Sequence, residues 1–135
     1  MKGGFEEIEH TADVAIRVRG GTLAELFANA ARGMAAQLAV PKEVAPTVEE
    51  SIHLEAEDAE TLLVAWLGEL LYLGERHGCV FNEFDIVDIA PTKLSAQARG
   101  WPVAEWVGHI KAVTFSEMDI ARSDGGFETT VVFDV

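Results

Sequence analysis

The stretch "VAIRVRGGTLAELFANAARGMAAQL", residues 14–38, decides the fold. Val14, Ile16 and Val18 alternate with Ala15, Arg17 and Arg19, the period of a half-buried strand. Gly20 and Gly21 end that pattern. At Thr22 the period changes. Thr22 and Glu25 form a T-x-x-E capping box. Leu23, Leu26, Phe27, Ala30, Met34 and Leu38 then fall at helical spacing on one face, which predicts a helix from Leu23 to Gln37.

Upstream, Phe5 to Glu9 reads as a short first strand. Downstream, "AVPKEVAPTVEE" (39–50) holds two prolines and no helical period, and is expected to be a loop. Val48, Ile52 and Leu54 mark a strand. Asp58 caps a second predicted helix, Ala59 to His77, stopped by Gly78. Leu62, Leu63, Val64, Trp66, Leu67, Leu70, Leu71 and Leu73 wrap most of its surface, so it should lie between layers. "CVFNEFDIVDI", "TKLSAQAR", "GHIKAVTF", "EMDIAR" and "FETTVVFDV" carry period-2 signals. "GWPVAEWVGH" is expected to be a loop presenting Trp101 and Trp106, either as a binding hot spot or as cover for a sheet edge. In "RSDGGF", Asp124-Gly125 is expected to supply the positive φ values of a hairpin turn between Met118–Arg122 and Phe127–Asp134. The order β-β-α-β-α-β-β-β-β-β predicts an α+β domain over 1–135, with largely antiparallel sheets packed with two helices.

Composition narrows the function. Ten basic against 23 acidic residues give a formal charge of −13, without a Lys/Arg cluster to displace phosphate counterions. Direct nucleic-acid binding is not expected. A basic protein partner or a hard cation suits this charge, and so does simple solubilisation. The longest apolar run, "LLVAWLGELLYL", is too short for a bilayer and contains Glu69. "MKGGFEEIEH" has no apolar core of a secretory signal, so a soluble, cytoplasmic protein is expected. Cys79, the single cysteine, reads as a buried free thiol with His77 as its only adjacent activating candidate.

P-loop, G-x-G-x-x-G, G-x-S-x-G, HExxH and CxxC motifs are all missing, and His10, His53, His77 and His109 are scattered. The polar cluster that remains is Glu9, His10 and Asp13, just ahead of the first alternating strand. It reads either as a turn hydrogen-bonded to its own backbone or as part of a cation site. One Asp cannot hold a hard cation alone. The final "VVFDV" offers Asp134 and the carboxylate of Val135, which would converge with Asp13 if the last strand neighboured the second. Three such groups repel one another unless protonated or bridged by a cation. Glu69 reads as a residue at the edge of the buried helical face, with a partner groove as the alternative.

"EHTADVAIRVRGGTLAELFANAARGM", "LLVAWLGELLYL", "IKAVTF" and "GGFETTVVFDV" together resemble the archease family, in the same order from end to end. The resemblance implies a non-catalytic accessory protein of the RNA ligase RtcB. Such a protein promotes the ligase's guanylylation and multiple turnover in tRNA splicing and RNA repair. It also implies a divalent cation, calcium first with magnesium or manganese as alternatives, bound by Asp13, Asp134 and Val135. Glu9, His10, Lys111 and Glu69 are its candidates for partner activation. Three departures stand out: Gly68 replaces the family's Asn, His109 stands where the family has Glu before Ile110, and Phe115-Ser116 replace Tyr-His. Two rival readings are a chaperone-like accessory protein for other RNA-processing or RNA-modifying enzymes and a small metal-dependent hydrolase built on His10, Asp13 and Asp134.

Overall fold

Each predicted helix forms where its cap stands. The computed structural model describes residues 2–8 and 13–135. After a single 3-10 turn at Lys2–Gly4 come β1 (Phe5–Ile8), β2 (Val14–Gly20) and α1 (Leu23–Leu38). The Glu25 amide donates to Thr22 Oγ1 at 3.1 Å, and Glu25 Oε2 accepts from the Gly21 amide at 3.3 Å, so the box closes one residue outside the cap. β3 (Ala39–Pro41) and β4 (Val48–Glu55) lead to α2 (Ala59–His77). The Thr61 amide donates to Asp58 Oδ1 at 2.8 Å, which holds the Asp58 carboxyl below the usual carboxylate range. At the other end Gly78 turns left-handed, at φ 63°. Five strands finish the chain: β5 (Cys79–Ala90), β6 (Lys93–Trp106), β7 (Ala112–Thr114), β8 (Ala121–Ser123) and β9 (Gly126–Asp134).

All described pairings are antiparallel. One sheet runs β1-β2-β9-β7, with β8 also on β9. The other is built on β6, which pairs with β3, β4 and β5. α1 packs on β2 of the first sheet and β5 of the second, and α2 packs on β4, β5 and β7. Both helices therefore contribute to one core shared by the two sheets, as an α+β domain requires. Trp66 lies at its centre. Its indole Nε1–H donates to the Phe27 carbonyl at 3.0 Å, and its ring meets Phe84 edge-on at 5.7 Å.

Five expectations change. The stretches 108–115 and 117–122 hold only the short strands β7 (Ala112–Thr114) and β8 (Ala121–Ser123). Residues 39–41 form β3 against Val103, Glu105 and Trp106, because the backbone of β6 continues past Gly100 and offers a free edge. For the same reason Trp101 and Trp106 stand on β6, not in a loop; Trp101 Nε1–H donates to the Val44 carbonyl at 2.9 Å. At the β8–β9 hairpin only Gly125 takes a positive φ, 77°, while Asp124 does not. Finally, α2 is less enclosed than its composition suggests. Val64 and Leu71 are half-buried, and Tyr72 is 57% exposed.

Outside the core, Arg99 gathers Glu49, Glu83 and Asp85 on one face of the second sheet, at 3.4, 2.6 and 3.3 Å. Among the described residues no helix is long and apolar enough to cross a membrane.

Candidate functional site

β2 and β9 run antiparallel, with Val14 opposite Phe133 and Ala15 opposite Val132. Asp13 directly precedes Val14 and Asp134 directly follows Phe133, so both lie at the same end of this strand pair. In this register fully buried Ile16 lies opposite fully buried Val131. β9 is buried at Val131, Val132 and Phe133 and emerges into solvent at Asp134. On its other side Ala112 of β7 pairs with Asp134, and the Lys111 amide donates to the Asp134 carbonyl at 2.7 Å. The backbone of Asp134 is thus held from both flanks, and its carboxylate stands at the exposed sheet end.

The last strand does neighbour the second, so the condition for Asp13, Asp134 and Val135 to meet at one end of the sheet is satisfied in the topology. Asp13 is half-buried; Asp134 and Val135 are exposed. Among the described residues, no group of three or more His, Cys, Asp or Glu side chains is arranged to hold a metal ion. A cation here would need main-chain oxygens besides the two carboxylates. Carboxylate and carbonyl oxygens are the donors that calcium and magnesium prefer, so the residues present suit a hard cation. Glu9 and His10 lie outside the described residues.

The other candidates are spread. Lys111 joins the Asp134 end through its backbone. Glu69 is half-buried on α2, next to Gly68. His53 faces Ser95 at 3.0 Å, and His77 faces Glu50 at 2.9 Å on the second sheet's side of the molecule. Ser116 lies exposed in the turn after β7, its amide donating to Thr114 Oγ1 at 3.2 Å. Because Ala112 pairs with Asp134 and Thr114 with Val132, Ser116 points the chain away from the carboxylate end. Cys79 is 4% exposed, and burial first, then the Glu50 charge, push its thiol up to about 11. A thiol so protonated is not a nucleophile at neutral pH.

One feature was not legible in sequence. A largely apolar cavity of about 490 Å³ opens between the end of α1, the second half of α2 and residues 106–110. Only the glycines inside α2, Gly68 and Gly74, hinted at it, since helix-interior glycine costs stability and needs a reason. At Gly74 the reason is contact: a Cβ would lie 3.0 Å from the Cys79 carbonyl. At Gly68 a Cβ would meet nothing within 4 Å.

Two antiparallel sheets sharing a core with two helices, with Asp13 and Asp134 at the same end of one strand pair, define a small α+β domain whose sequence carries none of the common catalytic templates. Residues 5–135 match the model of the Archease protein family (MTH1598/TM1083). Archease from Methanosarcina barkeri is 34% identical over 139 residues, covering 97% of this chain and 95% of that protein. Archease from Saccharolobus islandicus is 34% identical over 137 residues, covering 97% and 98%. The solution structure of Methanobacterium thermoautotrophicum protein 1598 superposes with a TM-score of 0.81 at 30% identity, over 98% of this chain and 99% of that one. A Thermotoga maritima crystal structure, described as "an archease, possible chaperone", shares the fold with a TM-score of 0.67 at 24% identity, over 96% of each chain. The chain belongs to the archease family.

Proposed function

We propose that this protein is a non-catalytic activator of an RtcB-type RNA ligase, promoting the ligase's guanylylation in tRNA splicing or RNA repair. The observation that supports it best is the Val14–Phe133 pairing, which carries Asp13 and Asp134 to one exposed end of the sheet. Asp13, Asp134 and an oxygen of Val135 would hold a divalent cation, calcium first and magnesium or manganese as alternatives. The bound cation would supply positive charge that lets the aspartates stand together ionised. The chain's own residues do the rest. The β2–β9–β7 ladder positions the two carboxylates, and Lys111 fixes the Asp134 main chain. The −13 charge supports an encounter with a basic protein surface in preference to RNA.

The test is guanylylation of an RtcB-type ligase from labelled GTP and Mn²⁺, with and without this protein, and with Asp13→Ala and Asp134→Ala. Stimulation lost in both variants is the expected result. Stimulation that survives both would remove the aspartates from the function, and no stimulation would overturn the activator reading. Raising salt should weaken the effect, because exposed charges steer the encounter. A second reading, a chaperone-like accessory protein in the cytoplasm, is favoured by the apolar cavity beside α2 and by the words attached to the Thermotoga maritima structure. Suppression of client aggregation without any guanylylation effect would select it.

A further inference from the structure

The cavity beside α2 does not stand alone. Its wall includes Met34 and Leu38 of α1, Leu70 and Gly74 of α2, and Ile110. A second hollow of about 340 Å³ shares Leu71 and Glu75 with it and continues to Val64, Gly68 and the start of β7. Their linings reach along this grooved side of α2 from Val64 to Gly78, about 20 Å at 1.5 Å per residue, with Leu71 and Glu75 between the two hollows. Trp106 and Tyr72, 55% and 57% exposed, stand at its rims.

We propose that this groove is a docking site for a basic, amphipathic segment of a partner protein. The combined length of the two hollows exceeds that of a compact small molecule. It matches about three to four turns of helix, whose apolar residues at i, i+3, i+4 and i+7 would enter the two hollows in succession. Exposed aromatic side chains beside a hollow are the usual anchors of a protein contact. The sign of the partner's charge follows from the molecule as a whole, because Glu75 and Lys111 balance each other in the linings. Glu75, at the waist, is the only carboxylate lining either hollow among the described residues; Cys79, His109, Tyr72 and Lys111 are the other titratable groups there. Beyond this wall the molecule carries −13, which repels a second copy, an anionic membrane or a nucleic acid. The smaller hollow ends at Lys111–Val113, and β7 pairs with Asp134, so a docked segment would run toward the carboxylate end. The proposal stands on binding alone, whether or not the partner is the ligase.

The test uses the whole protein and a labelled 18-residue synthetic helix, with leucine at the four apolar spacings and lysine elsewhere. An otherwise identical peptide carries glutamate in place of lysine. Gly68→Phe should fill the smaller hollow, since its Cβ meets open space. Trp106→Ala removes a rim, and Glu75→Lys reverses the waist charge. Glu55→Lys makes the same charge change on β4, before the other end of α2. Fluorescence anisotropy should show the lysine peptide binding, at least about tenfold weaker for Gly68→Phe and Glu75→Lys and about unchanged for Glu55→Lys. Trp106→Ala, at an exposed site, should fold normally and also weaken binding. Equal losses for Glu75→Lys and Glu55→Lys with Gly68→Phe unaffected would mean diffuse charge attraction and overturn the site. So would equal binding of the glutamate peptide. A concentration-dependent dimer in light scattering, dissolved by Trp106→Ala, would also overturn it in favour of self-association.

Discussion

Val14 and Phe133 face each other across the β2–β9 ladder, and this pairing brings Asp13 to the level of Asp134. Two carboxylates at one sheet end bind a hard cation more tightly than either alone. Calcium at millimolar concentration should therefore raise the melting temperature of the wild-type protein by about 2–4 °C. Asp13→Asn and Asp134→Asn should each remove most of that rise. Differential scanning fluorimetry reads it, and equal calcium responses in all three proteins would leave the aspartates without a cation role.

Two helical glycines should respond oppositely to alanine. Gly68 has open space where a Cβ would go, so Gly68→Ala should stabilise the fold by about 1 kcal/mol through helix propensity. At Gly33 the new Cβ would lie 2.6 Å from Ile16 Cδ1 and 3.1 Å from Phe5 Cγ. Ile16 is fully buried, so its Cδ1 has to repack within the core. Gly33→Ala should destabilise by about 1–2 kcal/mol. Urea unfolding of the two variants is the comparison to make.

Trp66 ties α2 to α1 through its bond to the Phe27 carbonyl. Trp66→Phe keeps an aromatic ring but loses the donor and leaves a void. A loss of about 2 kcal/mol is expected in equilibrium denaturation. A change smaller than the experimental error would mean that the two helices are held by their aliphatic contacts alone.

Asp58 supplies a pH dependence. Its carboxyl is lowered by the Thr61 amide it accepts from, so ionised Asp58 stabilises the folded state more than the unfolded one. That contribution is complete above the ordinary value of 3.8 and disappears as pH falls through the lower folded value. Asp58→Ala should cost stability at pH 7, with the difference from wild type shrinking steadily below pH 4. A difference independent of pH would assign the cap's effect to something other than its charge.

The local elements were legible in the chain because their causes are local. Thr22 and Asp58 announce helix starts, Gly78 a helix stop, and the 2.0 and 3.6 periods separate β2 from α1. The short β3 was not legible. Ala39–Pro41 has no period of its own and becomes a strand only because β6 extends to Trp106 and offers hydrogen bonds to it. The same extension took Trp101 and Trp106 out of the expected loop.

For the candidate site, residue identity and residue position have different origins. The sequence by itself determined which groups could act: Asp13, Asp134 and Val135 as hard donors, the acidic surface, and the family to which the chain belongs. It could state their meeting only as a condition, because strands far apart in the chain pair through a register that no local pattern encodes. Tertiary structure decided that β9 lies beside β2. It also opened the groove along α2, whose walls come from α1, α2, β5, β7 and residues 106–110. A hollow is the space that packed side chains leave between elements, as at Gly68, where no side chain enters it, and that space exists only once the elements have packed.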